Sequence, residues 1–160
     1  MKKKLLTLLL AAAMVLSLVA CGEKKPAPGK DATATEPVVI LHTNDVHGAI
    51  ENYAKVAALA DKYEAEGAYV LVLDAGDFSQ GSSYVSLSEG ATAIELMNMV
   101  GYDAVALGNH EFDYGFEALK KNMESAQFPV LAANVKYNGE LAFDDAAVFT
   151  TPGGTKIGVF

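Results

Sequence analysis

The sequence contains no arginine, one cysteine and three histidines in 160 residues. A single cysteine, Cys21, excludes a disulfide within the chain. With no arginine, and with twenty acidic residues against twelve lysines, the chain has little with which to neutralise a phosphate backbone. A nucleic-acid polymer is therefore not an expected partner. A small anionic substrate would also be repelled unless bound divalent cations brought positive charge into the site. There is no internal repeat. Histidine is scarce, yet His47 and His110 both stand in polar clusters that directly follow short apolar runs.

What is present first is an address. Lys2, Lys3 and Lys4 precede an apolar stretch, Leu5 to Ala20, broken only by Thr7 and Ser17. A small-residue site closes the stretch and a polar segment follows, so residues 1–20 read as a signal peptide for export rather than a spanning helix. Leu18-Val19-Ala20-Cys21 resembles the lipobox of bacterial lipoproteins. That resemblance implies cleavage before Cys21, lipidation of its sulfur, and anchoring to the cell membrane facing outside the cytoplasm. Each buried CH₂ contributes about 0.8 kcal/mol, so two or three acyl chains hold where one does not. Residues 21–37 carry three prolines and no large apolar side chain, the composition of a flexible linker. From Cys21 onward the balance is nine lysines to twenty acids, a net charge of −11.

The folded part is expected over residues 38–160, 123 positions, enough for one small domain with a core. Val38–Leu41 is apolar throughout and reads as a strand buried on both faces. Tyr53, Val56, Ala57, Ala60 and Tyr63 fall at helical spacing, with Gly67 ending the helix. Tyr69–Leu73 reads as a second strand. Ser88 to Gly101 reads as a helix capped by Ser88. Ala104–Leu107 is a third strand, Phe116–Ala126 a helix and Val130–Ala133 a fourth strand. Asn138-Gly139 marks a turn, and Thr155–Phe160 a last strand. This alternation predicts an α/β fold with a parallel sheet. The chain stops inside the last strand without a polar tail, which reads as the amino-terminal portion of a longer protein.

In such a sheet, ligands gather beyond the carboxyl ends of the strands. Asp45 and His47 follow the first strand, Asp77 the second, and Asn109 and His110 the third. Asp45 and His47 are two apart and face one side of an extended chain. A carboxylate and a neutral imidazole suit Zn, Mn, Fe or Ni. Asp77 has two oxygens and could bridge cations about 3.5–4 Å apart. Asn109 offers a neutral carbonyl oxygen. His110 reads differently: Asp113 is one helical turn on, and a carboxylate there raises the imidazole's basicity for acid or charge chemistry.

Each cluster alone has an ordinary reading: a chance triplet, a turn, a helix cap. Their order on successive strand ends is the informative part. Other residues are assigned structural roles: His42 as a partly buried strand histidine, Glu111 as an acid favoured by a helix dipole, Asp144-Asp145 as a solvated turn. Asp74 reads equally as a turn residue or as an orienting partner of the ligands.

The runs ILHTNDVHG (40–48), LDAGDFSQGS (73–82) and GNHEFDYG (108–115) resemble the calcineurin-like metallophosphoesterases. They are most similar to the exported branch of 5′-nucleotidases, UDP-sugar hydrolases and 2′,3′-cyclic-nucleotide phosphodiesterases. The resemblance implies a four-layer α/β/β/α domain, here truncated, and two divalent ions drawn from Zn, Mn, Fe, Co or Ca. By position it implies Asp45 and His47 on the first metal, Asp77 bridging, Asn109 on the second, and His110 with Asp113 as the catalytic dyad. The implied reaction is hydrolysis of nucleoside 5′-monophosphates or related phosphate esters, with metal-bound hydroxide as nucleophile. The family also uses later histidines and a second domain that this sequence does not contain, which leaves the fragment incomplete as an enzyme. A lipoprotein module that captures a solute or metal without catalysis is the alternative, and the leader and linker suit it equally.

Overall fold

The computed structural model describes residues 36–160. The expected signal peptide, Cys21 and the expected linker up to residue 35 lie outside the described residues. The order is β1 (Val38–Thr43), α1 (Glu51–Ala65), β2 (Tyr69–Asp74), α2 (Ser83–Ser86), α3 (Ala91–Val100) and β3 (Ala104–Ala106). A 3₁₀ turn (His110–Phe112), α4 (Phe116–Met123) and β4 (Val130–Leu131) follow. Two short hairpins complete it: β5 (Lys136–Tyr137) with β6 (Glu140–Leu141), and β7 (Ala147–Thr150) with β8 (Lys156–Val159).

β1 to β4 form a parallel sheet in sequential order, with Val38 opposite Tyr69, Leu73 opposite Ala104 and Val105 opposite Val130. Neighbouring parallel strands joined by right-handed crossovers place every connecting helix on the same face. The core sits there. Val70, Val72, Val105 and Val130 pack with Tyr53 of α1 and with Ile94 and Met97 of α3, both fully buried. The opposite face is more open, and a cavity of about 350 Å³ is lined there by Ile40, His42, Leu73, Ala106, Val159 and Phe160.

That open face corrects two expectations. β1 is not buried on both sides: Val39 and Leu41 face the core, whereas Val38 and Ile40 are 40% and 53% exposed. His42 shares their side and is exposed rather than partly buried. The last strand lies where expected, as β8, and pairs antiparallel with β7. The second helix also starts later than expected. Glu89 and Gly90 have φ of 53° and 93°, so the chain leaves the helical region and α3 begins at Ala91. Ser88 still acts like a cap, its hydroxyl accepting the Thr92 N–H at 3.1 Å. Among the described residues no helix is long and apolar enough to cross a membrane.

A polar network lies at the carboxyl end of β2. Asp74 is buried; it accepts hydrogen bonds from the Thr43 hydroxyl and, at 2.7 Å, from the Gly76 N–H. The Thr43 hydroxyl also meets the Tyr102 hydroxyl at 2.8 Å. Asp74 is therefore an internal anchor for the loop leaving β2 rather than a plain turn residue. Burial pushes its carboxyl up from 3.8 to about 6 against the opposing effect of those hydrogen bonds, with Glu111 and Asp45 adding to the rise. A raised folded-state value means that folding takes up a proton. The contribution is fully present below pH 3.8 and is lost as pH rises through about 6. In chelator, Asp74→Asn should gain on the wild type by up to about 3 kcal/mol between pH 4 and 7 in denaturant melts. A difference that does not change with pH would contradict this assignment.

Candidate metal centre

Three loops leave the carboxyl ends of β1, β2 and β3 and are tied to one another by backbone. The Asp45 N–H donates to the Gly76 carbonyl and the His47 N–H to the Asp77 carbonyl, both at 3.0 Å. The loops after β2 and β3 touch without intervening side chains. A Cβ on Gly76 would stand 2.4 Å from the Gly108 nitrogen, and one on Gly108 would stand 2.2 Å from an Asp77 carboxylate oxygen. Gly76 also has φ of 101°, so both space and backbone conformation require glycine.

Asp45, His47 and Asp77 have φ of 53°, 47° and 61°. Left-handed backbone is uncommon for non-glycine residues, and such conformations persist where surrounding structure enforces them, often at functional sites. Here the enforcement is visible in the loop-to-loop hydrogen bonds, which aim all three side chains.

His47, Asp77 and His110 converge, offering one potential ligand atom each within 4.8 Å of one another. The imidazoles of His47 and His110 meet edge to face with centroids 5.1 Å apart. His47 Nδ1 lies 3.2 Å from the Gln80 carbonyl, which can only accept, so Nδ1 carries the proton and Nε2 is left with its lone pair. Nε2 in turn lies 3.6 Å from an Asp45 carboxylate oxygen. Asp77 is held from both ends, its backbone N–H donating to Glu111 and its carboxylate accepting the His110 N–H at 2.8 Å. Asp45 is exposed, stands beyond the three-residue group and accepts from the Asn44 side chain. Asn109 is exposed at the start of the 3₁₀ turn, its carbonyl accepting the Phe112 N–H. Carboxylate and imidazole donors in this arrangement fit a borderline divalent cation.

His110 also faces a carboxylate. Its Nδ1 is 2.7 Å from Asp113 across one turn of 3₁₀ helix. The hydrogen bond to Asp113 raises the imidazole above the ordinary histidine value; desolvation opposes the rise, and the charges of Asp113, Asp77 and Glu111 add to it.

The sequence profile of the calcineurin-like phosphoesterases matches residues 38–159. This chain belongs to that family. It is 37% identical over 157 residues to the 5′-nucleotidase of Vibrio parahaemolyticus, covering 90% of this chain and 28% of that protein. It is 42% identical over 124 residues to the 5′-nucleotidase of Bos taurus, covering 66% and 21%. Among solved structures, the 5′-nucleotidase precursor of Thermus thermophilus superposes with a TM-score of 0.67 at 34% identity, over 74% of this chain and 27% of that one. The NAD nucleotidase of Haemophilus influenzae gives 0.64 at 32%, over 74% and 28%. The chain thus spans less than a third of the length of these relatives.

One residue of the site was misread from sequence. Glu111 does stand in the first turn of the 3₁₀ helix, but more than the helix dipole holds it there: it is 2% exposed and its carboxylate sits among backbone amides of the loop after β2. No periodic signal marks it. The only hint is an acidic residue inside a run otherwise made of site residues.

The Asp113 contact makes a direct prediction. In metal-free protein, the His110 ring should titrate at higher pH than a free histidine by NMR, and Asp113→Asn should move its midpoint down toward the ordinary value. An unchanged midpoint would show that Asp113 does not set the basicity of His110.

Proposed function

We propose that this phosphoesterase hydrolyses phosphate esters with two divalent cations, and that nucleoside 5′-monophosphates or related nucleotides are its substrates. The observation that carries the reading is the convergence of His47, Asp77 and His110 on three strand ends, with Asp113 behind His110. The nucleotide part of the reading is supported by the similarity to 5′-nucleotidases. The first cation would be held by Asp45 and His47 and the second by Asn109, with Asp77 shared between them. When bound, the cations supply Lewis-acid activation of the phosphoryl group and of water, together with positive charge to offset the net −11 of residues 21–160.

The remaining work falls to the chain's own groups. Asp113 keeps His110 protonated at Nδ1 and favours the doubly protonated ring, so that Nε2–H can donate to a phosphoryl oxygen or to the departing alkoxide. The Gln80 carbonyl fixes the His47 tautomer. The reading also takes residues 1–20 as an export signal and Cys21 as the lipid anchor, which puts the reaction outside the cytoplasmic membrane.

The test is phosphate release from AMP by the full-length protein freed of its leader. Release should stop on thorough chelation and return with Mn²⁺; activity that survives metal removal contradicts the proposal. Asp77→Ala should lose both metal and turnover. His110→Ala should retain metal and lose turnover by about 10²- to 10⁴-fold, the range for removing a general acid. If His110→Ala strips the metal, His110 is a ligand and the proposed division of roles is wrong.

A further inference from the structure

Glu111 joins two loops that are far apart in sequence. Its Oε2 accepts the Asp77 N–H at 2.8 Å and the Gly108 N–H at 2.7 Å. Its Oε1 accepts the Phe78 N–H at 2.9 Å, the Ser79 N–H at 3.1 Å and the Ser79 hydroxyl at 3.0 Å. Three successive amides, Asp77 to Ser79, therefore point at one carboxylate, and the left-handed Asp77 begins the run. Consecutive N–H groups of this kind form a concave anion site. In this protein the anion is its own side chain. The Ser79 hydroxyl also lies 3.3 Å from the His110 carbonyl, and the His110 N–H closes the circuit on the Asp77 carboxylate.

We propose that Glu111 is a positioning residue for the metal centre, its buried carboxylate locking the loop that carries Asp77 to the loop that carries His110. The inference rests on the reading of Asp77 as a metal ligand. All five partners donate, which sets the chemistry apart from that of a helix-dipole acid. A carboxylate accepts at every lone pair, whereas an amide of the same shape presents an NH₂ donor on one side. Glu111→Gln therefore turns at least one attraction into a donor facing a donor. At a solvated helix start the same change would be nearly silent.

The experiment uses the full-length protein and measures Mn²⁺ affinity by calorimetry, amide exchange by mass spectrometry, and melting in chelator. Glu111→Gln should weaken Mn²⁺ binding by about 10- to 100-fold, as loss of a ligand-orienting partner does. Exchange should quicken over the peptide covering Asp77–Ser79. Ile94→Ala, a core change remote from these hydrogen bonds, should melt earlier yet keep Mn²⁺ affinity within about twofold of wild type. Affinity in Glu111→Gln within twofold of wild type overturns the proposal. So does an equal affinity loss in Ile94→Ala, because the role would then be general stability. If Glu111→Gln does not fold, Ser79→Ala decides, since it deletes only the hydroxyl contacts. Weaker Mn²⁺ binding with faster exchange at 77–79 supports the lock, and unchanged values overturn it. If the wild type itself binds no Mn²⁺, the proposed function fails, and the exchange comparison alone still decides whether Glu111 fixes the loop.

Discussion

Everything at the candidate metal centre depends on one constraint, the direct contact of the loop after β2 with the loop after β3. Gly76 lies on Gly108 with no room for a side chain, and the Glu111 carboxylate fills the angle between them. An isolated buried carboxylate would be costly, but this one accepts from four backbone N–H groups and a hydroxyl, and hydrogen bonds to a charged group contribute about 1.5–3 kcal/mol each. The contact brings Asp77 and His110 together although they are more than thirty residues apart in sequence. The β1 loop then follows, because Asp45 and His47 donate their N–H groups to Gly76 and Asp77.

The sheet explains why three loops meet at all. Sequential parallel strands place their carboxyl ends side by side, so residues following β1, β2 and β3 share one edge. Below that edge the Thr43–Asp74–Tyr102 network ties β1 to β2 and to the start of β3. The helices bury the opposite requirement of the fold, an apolar face of Val70, Val72, Val105 and Val130. Fold and site thus meet in the same short stretch: the last residue of β2 is a buried acid and the third residue beyond it faces the metal centre.

Much of this was legible in the sequence, for identifiable reasons. Helical spacing in Tyr53–Tyr63 and the apolar run Tyr69–Leu73 gave α1 and β2 correctly; His47 and His110 stood out because histidine is scarce and each follows a strand, and Asp77 because it follows the strand between them. Val38–Leu41 is apolar at every position, so its pattern could not tell a strand with one open face from one buried twice. The later start of α3 depends on Glu89 in a left-handed conformation that its residue type does not advertise. Glu111 was missed for a deeper reason. Four of its five donors are backbone amides, which are the same for every residue type and leave no trace in sequence.

Asp77 is proposed to stand between two divalent cations. Anomalous diffraction from crystals of the full-length protein grown with Mn²⁺ tests it most directly. Two peaks are expected about 3.5–4 Å apart, both in contact with the Asp77 carboxylate, one beside His47 and one beside Asn109. A single peak held by His47, Asp77 and His110 together, or no peak at Asp77, would contradict it.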